Sequence, residues 1–330
     1  MIDTFKREIN YLRISVTDRC NLRCVYCMPK EGISCLGHND ILRYEEMLRV
    51  VRIAVQQGIT KIRVTGGEPL VRKGVVDFLA ALGKVEGLRD ISLTTNGILL
   101  ERFAEPLYEA GIRRINVSLD SLVPEKYRAI TRGGDLERVL RGIAKAREAG
   151  FDPIKINVVV IKGFNDDEID DLVRLASEND YQVRFIEYMP IGENMEHDFR
   201  YLSNDMIMNR INAAIPLIPV DVAPGGNNGP ARIFKMKDLP GELGFISAMS
   251  HQFCATCNRL RLTADGRLRA CLLADDPEVD LMSPLRSGCT DSRLTELIEW
   301  LISMKPEGYH CASNFTARKK CARNMSTIGG

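Results

Sequence analysis

Three cysteines near the start of the chain are the first residues whose spacing could do chemistry. Cys20, Cys24 and Cys27 follow a CxxxCxxC pattern, directly after a short run that reads as a β-strand. Thiolates at this spacing can bind three irons of a [4Fe-4S] cubane and leave the fourth iron open. A zinc site is the alternative, but it would usually require four ligands at CxxC-type spacing. The pattern therefore favours an iron-sulfur cluster with one open coordination position.

A second group of cysteines lies late in the chain. Cys254 and Cys257 form a CxxC pair, and Cys271 follows a segment that turns at Asp265-Gly266. Asp-Gly between two alternating runs predicts a β-hairpin, and a two-residue turn would place Leu260 opposite Cys271. The third thiolate would then return beside the CxxC loop, and the three thiolates could hold a second cluster with one open iron.

Two arginines accompany this second group. Arg259 and Arg261 lie two residues apart on the first strand of the predicted hairpin, so they share one face. Guanidinium groups suit phosphate or purine acceptors, and these two would flank whatever the cluster binds. The alternative is a zinc knuckle completed by His251 or a remote cysteine, with the arginines on an ordinary surface.

Composition narrows the class of protein. The formal net charge is +1 over 330 residues, so no sequence-wide basic field would attract nucleic acid or an anionic membrane. The N-terminus lacks the apolar run of a signal peptide, and no stretch approaches the length of a membrane span. We expect a cytoplasmic protein whose ten cysteines stay reduced and available to metals. The scattered cysteines expected to be free thiols are Cys35, Cys289, Cys311 and Cys321.

Repeated strand and helix patterns would position these groups. β-Branched runs predict strands at 12–17, 61–65, 90–95, 114–119, 155–161 and 182–189, with helices at about 44–57, 75–84, 99–110, 136–149 and 166–178. Six such units predict an α/β fold with a partial (β/α)6 TIM-like barrel. A Pro- and Gly-rich transition follows. We expect a barrel domain over 1–225, closed by a smaller domain over 226–330 with the hairpin, the second cluster and the Gly329-Gly330 tail.

The predicted strands have one apolar and one polar face, because residues two apart in a strand share a face. The polar face includes Arg13, Arg63, Thr94 and Lys155. An ordinary barrel fills its interior with branched apolar side chains. Here the apolar face must meet the helices, so the polar face would line the interior; an open sheet with a solvated polar face is the alternative. Several cations inside a barrel predict an anionic ligand.

The motifs together resemble the radical S-adenosylmethionine (SAM) superfamily. CxxxCxxC with Tyr26 before its last cysteine is similar to the superfamily motif, and the Gly-Gly-Glu-Pro run that begins at Gly66 resembles the segment that bonds the SAM amino group. The resemblance implies that SAM binds the open iron of the first cluster and is cleaved to a 5'-deoxyadenosyl radical. The implied SAM contacts are Tyr26, Gly66, Gly67, Glu68, Ser118 and Met189.

Within that superfamily the chain most resembles the GTP 3',8-cyclases of molybdenum cofactor biosynthesis, along nearly its whole length. The supporting segments are Arg13-Ile-Ser-Val-Thr-Asp-Arg-Cys20, Arg63-Val-Thr-Gly-Gly-Glu-Pro69, Asn258-Arg-Leu-Arg261 and Gly329-Gly330. The resemblance implies a GTP site formed by Arg13, Arg63, Thr94, Lys155, Arg259, Leu260 and Arg261, with Arg259 and Arg261 also catalytic. No GxxxxGK[ST] loop occurs, so side chains would hold GTP as a substrate.

The resemblance also implies the reaction. The enzyme would be a lyase that converts GTP to (8S)-3',8-cyclo-7,8-dihydroguanosine 5'-triphosphate, by removing the ribose 3' hydrogen and letting C3' attack C8. It would use two [4Fe-4S] clusters and SAM, a low-potential electron donor and a homodimeric assembly, and cyclic pyranopterin monophosphate synthase would act downstream. The competing hypotheses are a radical SAM peptide-modifying enzyme with an auxiliary cluster and a non-catalytic zinc or iron-sulfur protein. A cationic interior argues against a peptide substrate.

Overall fold

One 12-stranded sheet organises the computed structural model. The structure describes residues 1–189, 191, 201–221, 229–274, 277–308 and 323–329. The strands are β1 (Tyr11–Ser15), β2 (Lys61–Thr65), β3 (Asp90–Thr95), β4 (Arg114–Ser118), β5 (Lys155–Val160), β6 (Gln182–Glu187), β7 (Leu217–Pro219), β8 (Arg232–Met236), β9 (Glu242–Ile246), β10 (Arg259–Leu262), β11 (Arg267–Arg269) and β12 (Glu278–Asp280). Their order across the sheet is β12-β11-β10-β1-β2-β3-β4-β5-β6-β9-β8-β7.

The first six strands confirm the predicted set and pair in parallel in chain order. The α-helices are α1 (Tyr44–Gln56), α2 (Val75–Gly83), α3 (Leu100–Glu109), α4 (Pro124–Thr131), α5 (Leu136–Glu148), α6 (Ile169–Asn179), α7 (Asn204–Ala214), α8 (Met282–Arg286) and α9 (Asp291–Ser303). Five of these are the predicted helices, although a 3-10 turn at Asp166–Glu168 precedes α6. The prediction missed α4, whose eight residues are too few for a clear periodic pattern. Among the described residues, no helix is both long and apolar enough to cross a membrane.

The C-terminal part of the chain extends the sheet at both ends. β10 pairs in parallel with β1, with Arg261 opposite Arg13, and β9 pairs in parallel with β6, with Phe245 opposite Phe185. Antiparallel strands then continue outward on each side. The later strands therefore cover both edges that β1 and β6 would otherwise leave open.

The two faces of the parallel strands differ as the alternation predicts. Ile14, Ile62, Leu93, Ile115 and Ile156 are fully buried in the main apolar core, which also contains residues from the helices. Burying each such side chain contributes about 1.5–3 kcal/mol. The opposite face carries polar side chains, and residues from β1 to β6, β9 and β10 line one shared cavity. The sheet therefore curves around a polar interior, as expected.

The hairpin formed by β10 and β11 differs from the prediction by one residue. Arg261 lies opposite Arg269, so the turn holds three residues instead of two. The predicted pairing of Leu260 with Cys271 is therefore wrong. The expected outcome survives the shift, because Cys271 still borders the same cavity as Cys254 and Cys257.

The side chain of Thr263 explains the longer turn. Its hydroxyl bonds the Asp265 carboxylate and accepts the Arg267 N–H at 2.9 Å, while its own N–H donates to the Arg267 carbonyl at 2.9 Å. Gly266 ends the turn with φ of 77°, the left-handed conformation that a three-residue hairpin loop requires. A local threonine contact thus overrides the two-residue turn that Asp-Gly alone suggests.

Candidate active site

Both cysteine groups border one cavity of about 300 Å³. Cys20, Cys24 and Cys27 lie in the loop after β1. Cys254 and Cys257 precede β10, and Cys271 follows β11, so all three lie at the open end of the hairpin. The eight described cysteines are all free, including Cys35 and Cys289. Cys311, Cys321 and Gly330 lie outside the described residues. The fold therefore brings together two thiol groups that are far apart in the sequence.

Two glycines after β2 hold the chain that leads into the first cysteine loop. The Gly67 N–H donates to the Thr17 carbonyl at 2.6 Å, and the Glu68 N–H donates to the Arg19 carbonyl at 2.8 Å. A Cβ added at Gly66 or Gly67 would approach backbone atoms of residues 17–19 closer than 3.0 Å. These glycines therefore permit a close backbone contact that fixes the chain just before Cys20.

Glu68 joins this loop to the end of β3. Its carboxylate accepts hydrogen bonds from the Leu70 N–H at 3.0 Å, the Thr95 hydroxyl at 2.8 Å and the Asn96 N–H at 2.7 Å. Burial raises its pKa to about 7 despite these donors. Asn96 in turn directs its side-chain amide toward the Cys20 Sγ at 3.7 Å. Glu68 thus orders the wall beside the first cysteine in addition to bordering the cavity.

Tyr26 is held by a buried carboxylate at the end of β4. Its hydroxyl donates to Asp120 Oδ2 at 2.5 Å, and Asp120 Oδ1 accepts the Val159 N–H at 2.8 Å. Burial raises the pKa of Asp120 to about 6. No role was predicted for Asp120 from the sequence. Its contact with Tyr26 shows that it orients the aromatic residue of the first motif.

Buried cations form another part of the wall. Arg184 on β6 is 3% exposed and donates to Gln182 Oε1 at 2.7 Å and to Asn116 Oδ1 at 3.3 Å. Burial, Arg63 and Arg114 lower its pKa to about 9. Lys155 on the neighbouring strand has its pKa lowered to about 6 by burial and by the charges of Arg184, Arg114 and Arg63. These shifts indicate repulsion among cations that an anion would relieve.

Asp90 neutralises part of this positive charge. Its carboxylate lies 2.7 Å from Arg114 Nη1 and 3.6 Å from Lys61 Nζ. Lys61 and Arg184 were not assigned to a site from the sequence. The alternation of polar and apolar residues along β2 and β6 could have identified both. Lys61 shares a face with Arg63, and Arg184 shares a face with Gln182.

Arg259 and Arg261 lie beside the second cysteine group, and the C-terminal tail reaches Arg261 and Arg13. The Gly329 carbonyl accepts hydrogen bonds from Arg13 Nη2 at 3.2 Å and from Arg261 Nη1 at 3.0 Å. Burial and the charge of Arg259 lower the pKa of Arg261 to about 10. Arg323 binds the carboxylates of Asp265 and Glu278, which fastens the tail to the hairpin.

The second thiol site is strongly cationic. Burial would raise the pKa of Cys257, but Arg259 and Lys305 hold it at about 6. At the first site, by contrast, burial raises the pKa of Cys20 to about 12. The two sites therefore stabilise thiolate charge to different extents in the metal-free protein.

The cavity wall also contains polar atoms that fit bound ligands. Thr94 Oγ1 and Asn157 Oδ1 are buried and have no hydrogen-bond partner among the described residues, yet both residues border the cavity. Within the same part of the chain, no three His, Cys, Asp or Glu side chains converge on a single-ion position. Three thiols at each site suit a cubane, where each thiolate binds a different iron. The donor sets thus fit the two expected clusters.

Most residues predicted for SAM or GTP share this cavity. Those on its lining are Arg13, Tyr26, Arg63, Gly66, Gly67, Glu68, Thr94, Ser118, Met189, Arg259 and Arg261. Lys155 and Leu260 lie outside the lining. Lys155 is buried beside Arg184 and Arg63, and the Leu260 side chain belongs to the apolar core. Leu260 could therefore reach a ligand only through its backbone.

Comparison with known families matches both halves of the chain. Residues 14–176 match the Radical SAM superfamily, and residues 181–311 match the Molybdenum Cofactor Synthesis C family. The Streptococcus suis protein SuiB bound to S-adenosylmethionine is 17% identical with a TM-score of 0.59, over 86% of this chain and 66% of that chain. The hydrogenase maturase HydG from Carboxydothermus hydrogenoformans is 20% identical with a TM-score of 0.52, over 64% and 52%. These similarities concern the fold alone.

Several relatives that match from end to end share one name. GTP 3',8-cyclase from Thermodesulfovibrio yellowstonii is 52% identical over 100% of both chains. Proteins of that name from Moorella thermoacetica and Pelotomaculum thermopropionicum are each 49% identical over 100% of both chains. With the radical SAM motif and both family matches along its length, the chain belongs to the GTP 3',8-cyclase family of the radical SAM superfamily.

Proposed function

We propose that this protein is a GTP 3',8-cyclase that catalyses the first step of molybdenum cofactor biosynthesis. The observation that carries the proposal is one cavity bordered by two three-cysteine groups and a wall of buried cations. Full-length relatives with this activity in their name support the same conclusion. The buried cations suit an anionic substrate better than a peptide, which argues against a peptide-modifying enzyme. The SAM motif argues against a non-catalytic zinc protein.

The first cysteine group would hold a [4Fe-4S] cluster through Cys20, Cys24 and Cys27. With SAM bound, this cluster would supply the electron that cleaves SAM, and the resulting radical would remove the ribose 3' hydrogen of GTP. Tyr26, oriented by Asp120, would pack beside SAM, and the Gly66-Gly67 segment would present backbone to its amino group. Ser118 and Met189 would complete the SAM contacts.

The cations would hold GTP at the opposite end of the cavity. Arg63, Lys155 and Arg184 supply the repelling charges that a triphosphate would neutralise. Lys61 would add a charge from β2, and Thr94 would offer its hydroxyl. Their common effect would be to fix the ribose and guanine, so that C3' faces the radical and C8 lies within reach of C3'.

The second cysteine group would hold the other [4Fe-4S] cluster beside the guanine. Cys254, Cys257 and Cys271 would provide three thiolates to this cluster, which would help to anchor the purine. Attack of the C3' radical on C8 would leave an unpaired electron on the guanine, and one electron and one proton would then complete the dihydroguanine. Arg259 and Arg261 would stabilise the charge that this reduction places on the ring. Arg13 and Arg261 now share the Gly329 carbonyl, so the tail would rearrange or join the ligand when GTP binds.

The proposal also covers the electron donor, the assembly and the enzyme that uses the product. Two iron-sulfur clusters and reductive SAM cleavage require a low-potential electron donor. We further propose a cytoplasmic homodimer whose product passes to cyclic pyranopterin monophosphate synthase. The eight described cysteines are free thiols, which suits the reducing cytoplasm.

Replacing both hairpin arginines tests the substrate site. In the double variant Arg259→Ala with Arg261→Ala, GTP cyclisation should fall by roughly 100-fold or more, since each charge-assisted hydrogen bond is worth about 1.5–3 kcal/mol. Reductive SAM cleavage should persist, because neither arginine belongs to the first cysteine group. Both products are measured by liquid chromatography after anaerobic incubation.

The same hairpin offers a matched control. Arg267 on β11 lies 3.9 Å from Asp280 in a partly exposed pair, so Arg267→Ala should leave both reactions close to wild type. Cyclisation that continues unchanged in the double variant would remove Arg259 and Arg261 from the proposed GTP site.

A further inference from the structure

A buried arginine in the N-terminal segment contacts the second cysteine group from outside the cavity. Arg7 precedes β1 and is 6% exposed. Its Nη1 donates to the Cys254 carbonyl at 2.8 Å and to the Glu307 carbonyl at 2.9 Å, and its Nη2 donates to the Pro306 carbonyl at 2.7 Å. One guanidinium therefore connects the N-terminal segment, the CxxC loop and the chain after α9.

Asp3 fixes the direction of this guanidinium. Its Oδ2 accepts Arg7 Nε at 2.5 Å, and its Oδ1 accepts the N–H groups of Phe5 and Arg7, both at 2.9 Å. The Asp3 N–H donates back to the Arg7 carbonyl at 3.0 Å. Asp3 is itself 6% exposed. The two side chains thus form a closed unit in which the arginine fork is oriented before it meets the CxxC loop.

The segment held by Arg7 runs along the cysteine site. Lys305 Nζ donates to the Arg259 carbonyl at 2.9 Å and to the Ala270 carbonyl at 2.5 Å, so it fixes the backbone next to Cys257 and Cys271. A Cβ added at Gly308 would lie 3.5 Å from the Cβ of Cys254. Residues 305–308 therefore pack against the back of the same thiol group that faces the cavity.

We propose that Arg7 is a positioning residue for the second cluster: with Asp3, it fixes the Cys254 backbone and residues 306–308 so that the Cys254 thiol stays in place to bind iron. The inference rests on the proposed function in one respect, that the second cysteine group holds a cluster. It adds the N-terminal segment to that site, although Arg7 and Cys254 lie 247 residues apart. A planar fork with five donors can satisfy three carbonyls and a carboxylate together, and a lysine cannot.

The test compares Arg7→Lys and Asp3→Asn with wild type and with Arg293→Lys, which alters an exposed pair with Glu296 on α9. After anaerobic reconstitution, iron per chain and the rate of iron release to a chelator are measured. Wild type and Arg293→Lys should hold about eight irons, as expected for two cubanes. In Arg7→Lys, half of the iron should be absent or released at least tenfold faster. Asp3→Asn should show the same defect to a smaller extent.

Reductive SAM cleavage without GTP reports on the first cluster and on folding. It should stay within about twofold of wild type in both variants, because neither residue touches the first cysteine loop. Wild-type iron content and release rate in both variants would overturn the positioning role. If Arg7→Lys fails to fold, Asp3→Asn decides by the same measurements. Absence of GTP cyclisation in wild-type protein with both clusters would instead contradict the proposed function and leave the role of Arg7 intact.

Discussion

The lowered pKa of Lys155 reflects its burial among other cations, an environment that favours a bound anion. Burial and three neighbouring arginines lower its pKa to about 6, so the side chain is largely neutral at pH 7 in the free protein. A bound triphosphate favours the charged form and would raise that pKa. Binding should therefore take up a proton at Lys155. Since the protonated protein binds the nucleotide better, GTP affinity should be level below pH 6 and should fall as the pH rises above it.

Calorimetry with GTP can count this proton. Titrations of the cluster-loaded, unreduced protein at pH 7 in buffers of different ionisation enthalpy should show an uptake approaching one proton per GTP. Lys155→Met retains the length of the side chain without its charge and should bind GTP more weakly, with correspondingly less uptake. The variant also corrects for ionisation of the nucleotide itself. Equal uptake by both proteins would exclude Lys155 as the group that titrates.

For single residues, the sequence predicted which side chains lie at the site more reliably than which side chains contact each other. Arg13, Arg63 and Thr94 were assigned from a polar alternation and a family resemblance, and they do share the cavity. Arg184 was not predicted for the site, although it follows the same alternation on β6. The contact between Tyr26 and Asp120 could not be predicted, since it joins residues 94 positions apart.

Among the elements, the strand-to-loop connection after β2 is tightly constrained. Gly67 touches the chain before Cys20 so closely that any side chain must displace backbone atoms. Gly67→Ala should therefore cost about 1–3 kcal/mol, as overpacked sites do, and should reduce iron in the first cluster and SAM cleavage. Thermal unfolding of the metal-free protein and iron analysis after reconstitution measure the two effects.

Gly83 provides a matched control for this change. It ends α2, and an added Cβ would meet no atom of the described residues within 4 Å. Gly83→Ala should leave iron binding unchanged and stabilise the protein by up to about 1 kcal/mol, because alanine favours helix. A Gly67→Ala protein with wild-type stability and a full first cluster would show that the close backbone contact is dispensable.

Strands and helices were predicted from the sequence more accurately than the hairpin turn. Each strand and most helices of the βα repeat have a clear periodicity of their own, so the first six strands and five of the helices were predicted. The predicted hairpin turn was one residue too short because the Thr263 hydroxyl contacts Asp265 and Arg267. Turn type depends on such side-chain contacts, which dipeptide preferences do not describe.

For the whole molecule, the continuous sheet was the least predictable feature. The sequence suggested a C-terminal domain beginning near 226, and that boundary stays a prediction. Nothing in the local pattern indicates that β10 joins β1 and that β9 joins β6, because those pairings connect distant segments. These pairings attach the second cysteine group directly to the edge of the parallel strands, because β10, which follows Cys257, pairs with β1.

Hydrogen exchange of backbone amides tests this continuity. Strands that share one sheet and one core should open together, so β9 and β10 should exchange as slowly as β6 and β1. Mass spectrometry of peptides from the intact protein gives the rates. Exchange of β9 and β10 that is fast while β1 and β6 stay protected would show an independently opening C-terminal unit.

The central claim is that one cavity places the ribose of GTP against the radical derived from SAM. Anaerobic incubation with SAM, dithionite and GTP deuterated at C3' tests it most directly, followed by mass spectrometry of the 5'-deoxyadenosine and chromatography of the nucleotide. The account predicts 5'-deoxyadenosine that carries the deuterium and a new nucleotide in which C3' is bonded to C8. Unlabelled 5'-deoxyadenosine together with unchanged GTP would contradict it.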